Sequence, residues 1–198
     1  MIVFLFGLPG VGKTYIGQLL QKELGACYWD ADEALTEEMK LAVRNEQAFS
    51  RTMTTELAST IIEKMKLLEQ NNEFIIVSQA MLRETDRHLF REQFSDLHFI
   101  YIRCERDHTS QRIAQRADFV TVSYFEKLTA AFEPHRKDAE TYPIIDNYKK
   151  TDEQLIKAFN ELLNIKPKTI WQLDFFPELT QQDPDLMHSR GHMMNKSL

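Results

Sequence analysis

The chain has 198 residues, 43% hydrophobic and 27% charged, long enough to close one well-buried core and too short for two large domains. Its formal net charge of −6 argues against a surface built for the nucleic-acid backbone, since affinity for that polyanion comes from basic patches. No segment approaches the roughly 18 continuous apolar residues of a membrane span, and the two cysteines, Cys27 and Cys104, give neither a disulfide framework nor a zinc pattern. Free buried thiols suit a reducing compartment, so a soluble cytoplasmic protein is expected.

The apolar run Ile2–Phe6 predicts a buried strand. It opens directly into Gly7-Leu8-Pro9-Gly10-Val11-Gly12-Lys13-Thr14, which reads G-x-x-x-x-G-K-[ST]. Without a basic region ahead of it, this run is read as the first strand and not as a leader. The glycines let the backbone curl so that its N–H groups point at phosphate oxygens, and the helix that follows turns its positive end to the same anion. Ile16, Leu19, Leu20 and Leu24, closed by Gly25, mark that helix. In such a loop the lysine reaches the β- and γ-phosphates and the hydroxyl holds Mg²⁺, the roles expected of Lys13 and Thr14. Together with Tyr15 and Arg112, the loop residues form the expected ATP site.

A second strand, Ala26–Asp30, ends in Trp29-Asp30-Ala31-Asp32-Glu33. Ligands of an open parallel sheet sit outside the carboxyl ends of its strands, so these carboxylates face the phosphate loop's crevice. Two apart on an extended chain, Asp30 and Asp32 would point the same way. Asp30 is the candidate metal ligand and Asp32 the candidate for orienting a hydroxyl acceptor, although Asp32 could instead only cap the next helix. Residues 32–71 contain no strand and read as a two-helix insert, with Arg44 and Arg51 as possible cations for the acceptor.

The third strand, Phe74–Ser78, is followed by Gln79 and has no acidic residue at its end, unlike a hydrolytic motor of the phosphate-loop class. Arg83 lies just beyond it. After the fourth strand, Leu97–Ile102, come Arg103, Arg106, Arg112 and Arg116. Arg112 and Arg116 share a helix face ahead of a break, and a short lid over 116–123 would let Arg116 close on transferring phosphate. Ser123 with Glu126 and Thr151 with Gln154 both fit the capping box at a helix start. A weaker strand, Pro143–Asp146, lies between them. From residue 165 the composition turns to Pro167, Pro177, Pro184 and a polar end, a partly flexible extension in which Trp171, Leu173, Phe175 and Phe176 could anchor. His188 and His192 have no glutamate between them to make a metalloprotease pair. Five strands, each followed by a helical stretch, make an α/β fold, a parallel sheet with helices on both faces.

The pattern over residues 1–164 resembles the small-metabolite kinases of the phosphate-loop class, the group of gluconokinase, shikimate kinase and adenylylsulfate kinase. It rests on GLPGVGKT, WDADE, the arginine pair in RIAQR, and Phe132-Glu133-Pro134 followed by Ile144-Ile145-Asp146. The resemblance implies a P-loop NTPase fold with a five-stranded parallel core and a lid, Mg²⁺ and ATP as cofactors, and transfer of the γ-phosphate to a hydroxyl. Asp30-Ala31-Asp32 is similar to the paired aspartates of shikimate and adenylylsulfate kinases, and Asn45–Phe49 to the shikimate kinase insert. Ser78–Arg83 and the Phe-Glu-Pro turn lie nearer gluconokinase, and Phe132 stands where shikimate kinase has its carboxylate-binding arginine. A small anionic acceptor such as a gluconate-like sugar acid follows, with Lys13, Asp32 and Arg116 as the catalytic set and Asp32, Arg44, Arg51 and Arg83 on the acceptor. A nucleotide or polynucleotide-end kinase and a non-catalytic nucleotide-binding module are the alternatives, and oligomeric state is left open.

Overall fold

Five short strands, β1 (Ile2–Phe6), β2 (Cys27–Asp30), β3 (Ile75–Gln79), β4 (Leu97–Arg103) and β5 (Ile144–Asp146), form one sheet in the order β2-β3-β1-β4-β5. Every pairing is parallel. These are the five runs expected from the sequence, with boundaries shifted by one residue at most. The computed structural model describes residues 1–116, 120–134 and 142–164, all within the compact unit Met1–Ile165. The middle of the expected lid (117–119) and the extension from 165, with its aromatic group and histidine pair, lie outside the described residues.

All of β1 is buried, because the sheet is covered on both faces and its central strand therefore reads as a continuous apolar run. Its side chains alternate between two cores. Ile2, Phe4 and Phe6 join a cluster with Met39, Leu57, Ile61 and Phe90, while Val3 and Leu5 join Ile16, Leu20, Leu155 and Phe159. The first cluster is rich in edge-on aromatic contacts, such as Phe4 with Phe90 at 5.3 Å and Phe6 with Tyr142 at 4.7 Å, geometries favoured by the ring quadrupole.

The helices are α1 (Lys13–Leu24), α2 (Glu37–Arg44), α3 (Arg51–Glu69), α4 (Glu84–Arg91), α5 (Arg106–Gln115), α6 (Val122–Ala131) and α7 (Asp152–Leu163). The insert holds two helices as expected, capped by Thr36 and Ser50, whose hydroxyls accept the N–H of Met39 and Met53. The Thr151–Gln154 capping box is present at α7. Ser123, however, is not a cap. Helix α6 starts two residues earlier, where the hydroxyl of extended Thr121 accepts the N–H of Tyr124. Tyr124 cannot reciprocate as a glutamate would, so the start carried no capping-box pattern in the sequence. Among the described residues no helix is long and apolar enough to cross a membrane.

Candidate active site

Strand β1 has β3 on one side and β4 on the other, so the chain leaves the sheet in opposite directions here and opens a crevice at its carboxyl edge. The loop between β1 and α1 lies in that crevice. Gly7 has φ +149° and Gly12 φ +96°; a Cβ would stand 2.4 Å from the Ile102 carbonyl oxygen at the first and 2.2 Å from Asn147 Nδ2 at the second. Neither position tolerates a side chain, which is the physical content of the glycine pattern. Asn147 was not evident from sequence. Its Nδ2 donates to the Val11 carbonyl at 2.8 Å and its backbone N–H to the Arg103 carbonyl at 2.7 Å, clamping the loop to the end of β4. Its only sequence signal is its place directly after the fifth strand.

Lys13 Nζ lies back along the loop, donating to the carbonyls of Gly7 and Leu8 at 3.1 and 3.0 Å. Burial draws its pKa below the ordinary lysine value; Asp32 and Asp30 oppose this, and Arg116 adds to it. Thr14 Oγ1 donates to Asp30 Oδ2 at 2.8 Å. The same oxygen accepts the Tyr28 hydroxyl at 3.2 Å, and that hydroxyl lies 2.8 Å from Ser78 Oγ. Asp30 Oδ1 accepts the Asp32 N–H at 3.2 Å. The expectation that the two carboxylates point the same way from one extended chain needs correcting. β2 ends at Asp30, and Asp32 lies in a 3₁₀ turn, Ala31–Ala34, capped by Asp30 itself. The cap of α2 is Thr36, so Asp32 is not there to cap that helix.

Asp30 therefore sits beneath Thr14, while Asp32 lines a cavity of about 370 Å³ that also takes in Lys13, Thr14 and Arg116. Thr14 and Asp30 offer two hard oxygens beside the phosphate loop. Among the described residues no group of three His, Cys, Asp or Glu side chains could hold a metal. Such a pair suits Mg²⁺, which keeps waters and takes its remaining ligands from substrate phosphates. Half-buried Arg112 reaches to 3.7 Å from the Cβ that Gly12 lacks, close to the loop backbone. Tyr15 lines the cavity, and its hydroxyl donates to Asp152. Arg83 also lines the cavity. Arg44 and Arg51 are exposed on α2 and α3 and are not among its lining residues.

The profile of the AAA domain family matches residues 3–121. The chain belongs to this family. A shikimate kinase of Bacillus cereus (strain G9842) is 24% identical over 172 residues, covering 82% of this chain and 98% of the relative. Among solved structures, a sugar kinase from Janibacter sp. HTCC2649 superposes with a TM-score of 0.73 at 22% identity, over 84% of this chain and 95% of that one. A gluconokinase from Sinorhizobium meliloti 1021 gives 0.68 at 18% identity, over 82% and 91%. The homologue and these structural neighbours are small-molecule kinases, and the shared fold is the phosphate-loop kinase fold expected from the sequence.

Two further groups shape the cavity of this AAA domain protein. Arg87 is fully buried, its guanidinium 4.6 Å from the Phe6 ring centre and 5.2 Å from that of Tyr142. It donates to the carbonyls of Met81, at 2.6 Å, and Glu133. One cation thus ties the loop after β3 to the Phe-Glu-Pro turn, and its burial is tolerated because its donors are satisfied. In the sequence Asp86-Arg87 figured only as part of the segment that resembles gluconokinase, with no role assigned to Arg87.

Glu46, just after α2 with φ +53°, accepts hydrogen bonds from Lys127 Nζ at 2.8 Å, Thr121 Oγ1 at 2.6 Å and Ser123 Oγ at 2.9 Å. With Tyr124 Oη donating to the Gln47 carbonyl at 2.9 Å, this clasps the insert to the start of α6. Those three donors, Lys127 foremost, pull the Glu46 carboxyl from its ordinary 4.5 to about 2. A folded-state pKa below the unfolded one stabilises the fold fully above pH 4.5, and the contribution fades as pH falls toward 2. Glu46→Gln is therefore expected to melt below wild type at neutral pH, with the gap in Tm closing near pH 2. A gap of equal size at both pH values would mean that the clasp does not depend on the charge.

Proposed function

We propose that this protein is an ATP-dependent kinase that transfers the γ-phosphate to a hydroxyl of a small metabolite. The observation that carries the proposal is one cavity shared by the phosphate-loop groups Lys13 and Thr14 and the carboxylate Asp32, with Arg116 at its edge. The kinase relatives and the fold agree with it.

In this reading the loop N–H groups and Lys13 hold the phosphate chain, Lys13 leaving the Gly7 and Leu8 carbonyls for phosphate oxygens. Mg²⁺, held by Thr14 and Asp30 together with phosphate oxygens, would offset the negative charge of the phosphates. Asp32 accepts a hydrogen bond from the acceptor hydroxyl and takes its proton as the new oxygen–phosphorus bond forms. The bond from the γ-phosphorus to the bridging oxygen breaks, and ADP leaves with that electron pair. The transition state is loose and spreads charge over the equatorial oxygens, so most of the catalysis is positioning and charge stabilisation. Arg116 is exposed and at the cavity edge, where its guanidinium can meet that charge. Arg116→Ala is expected to lower kcat by about 10²-fold with little change in ATP affinity. Calorimetry showing a large loss of nucleotide affinity with kcat intact would make it a binding residue instead.

The sugar-acid form of this reading, gluconate-like, is supported by Arg83 alone of the three candidate acceptor cations. The test of the kinase reading is coupled ADP release across a panel of hydroxylated metabolites, with Lys13→Ala as the control. Saturable stimulation that disappears in the variant supports it. ATP binding with no stimulation by any compound favours a non-catalytic nucleotide-binding module.

A further inference from the structure

Beneath the phosphate loop, α1 meets β2 at a glycine. Gly17 sits in the interior of α1, where glycine weakens a helix, and a Cβ there would stand 2.7 Å from Cζ of Tyr28, the ring carbon that carries the hydroxyl. The missing side chain is the recess that admits the ring. Tyr28 and Asp30 are two apart on β2 and so project from the same face of the sheet, while Asp30 pairs in register with Ser78 of β3. The phenol consequently reaches both. Its oxygen is 3.2 Å from Asp30 Oδ2 and 2.8 Å from Oγ of buried Ser78.

We propose that Tyr28 is a positioning residue for the metal site: its hydroxyl, oriented by Ser78, holds the Asp30 carboxylate in place to share Mg²⁺ with Thr14. The inference rests on the kinase reading and on the Mg²⁺ site of Thr14 and Asp30 proposed above. An ionised carboxylate only accepts hydrogen bonds, and a phenol carries one proton. The Tyr28 proton therefore goes to Asp30, and Ser78 donates to Tyr28. Oδ2 takes this bond together with the one from Thr14 at 2.8 Å, and Oδ1 takes the Asp32 N–H at 3.2 Å. These donors leave part of the carboxylate's roughly four acceptor positions for a cation or one of its waters. Mg²⁺ demands near-ideal octahedral geometry, so with one hydroxyl and one carboxylate from the protein its affinity depends on how firmly that carboxylate is oriented. Without the phenol, Thr14 would be the remaining side chain on Oδ2, and its hydroxyl is the group that must also turn a lone pair to the cation. Tyr28 and Ser78 lie 50 residues apart, so no spacing in the sequence pointed to the pair.

The test is ATP binding to the full chain, measured by calorimetry once in EDTA and once at saturating Mg²⁺, for wild type, Tyr28→Phe, Ser78→Ala and Asp30→Asn. Phenylalanine keeps the ring in the recess beside Gly17, so Tyr28→Phe is expected to melt cooperatively near the wild-type Tm. With Mg²⁺ its ATP Kd should rise about tenfold, the low end of what losing a partner of a metal ligand costs. In EDTA the same variant should bind ATP as the wild type does. Ser78→Ala, which keeps the phenol, is expected to show a smaller loss, again only with Mg²⁺. A Tyr28→Phe Kd that is unchanged in both conditions, or raised equally in both, overturns the inference. The metal reading then still stands if Asp30→Asn loses the tightening by Mg²⁺. Wild-type protein that binds ATP no more tightly with Mg²⁺ than in EDTA, or not at all, overturns the metal reading and the inference together.

Discussion

Lys13→Ala is expected to lower kcat/KM by about 10³-fold while the protein remains folded. Lys13 is the one loop side chain whose charge can follow the transferring phosphoryl group, and its Nζ rests on two carbonyls of its own loop, which it would leave for phosphate oxygens. Burial disfavours its charged form, and the neighbouring Asp32 and Asp30 work against that effect. The lysine is half-buried, so bound phosphate would replace part of the water around it. Such a preorganised charge is worth several kcal/mol in a site that excludes solvent, because nothing has to reorient as the reaction proceeds. Removing a half-buried cation whose hydrogen bonds go to two carbonyls of its own loop should leave the far-UV spectrum and cooperative melting in place. Near-normal turnover in the purified, folded variant would show that the loop is not the active site.

The two carboxylates are expected to fail differently. Asp32→Asn should lower kcat by about 10²–10⁴-fold with ATP affinity little changed, the range for loss of a general base. Asp30→Asn should chiefly raise the Mg²⁺ concentration needed for half-maximal rate. The difference follows from geometry. Asp30 accepts from Thr14, Tyr28 and the Asp32 backbone, so its charge sits beside the loop hydroxyl, and it is not among the residues lining the cavity. Asp32, two residues further on within the 3₁₀ turn, lines the cavity. Titrating Mg²⁺ and ATP separately against initial rate distinguishes the two, and equal mild effects from both substitutions would reduce the pair to a structural turn.

Much of this architecture was legible because its signals are local. An apolar strand, a glycine loop and a lysine next to a hydroxyl residue are contiguous in the chain, and their chemistry follows from spacing alone. The central strands β1 and β3 stand out because they are buried throughout, and the parallel sheet follows from the helices between the strands. Even so, local reading misplaced the start of α6. Ser123 fitted the capping box, but its hydroxyl is taken by Glu46, 77 residues away, and Thr121 caps in its place.

Long-range pairing decided what no spacing could encode. The clamp from Asn147 to Val11 spans 136 residues, and buried Arg87 joins two loops through carbonyls that carry no side-chain signature. Of Arg44, Arg51 and Arg83, equal as cations in the sequence, only Arg83 lines the cavity. The sequence by itself determined the phosphate end of the site, because backbone N–H groups and one helix terminus build it within eight consecutive residues. The rest of the cavity, where the acceptor is proposed to sit, was decided only by tertiary structure. It is assembled from β3, the insert and α6, and a side chain there becomes wall, partner or solvated surface according to which element folds against it.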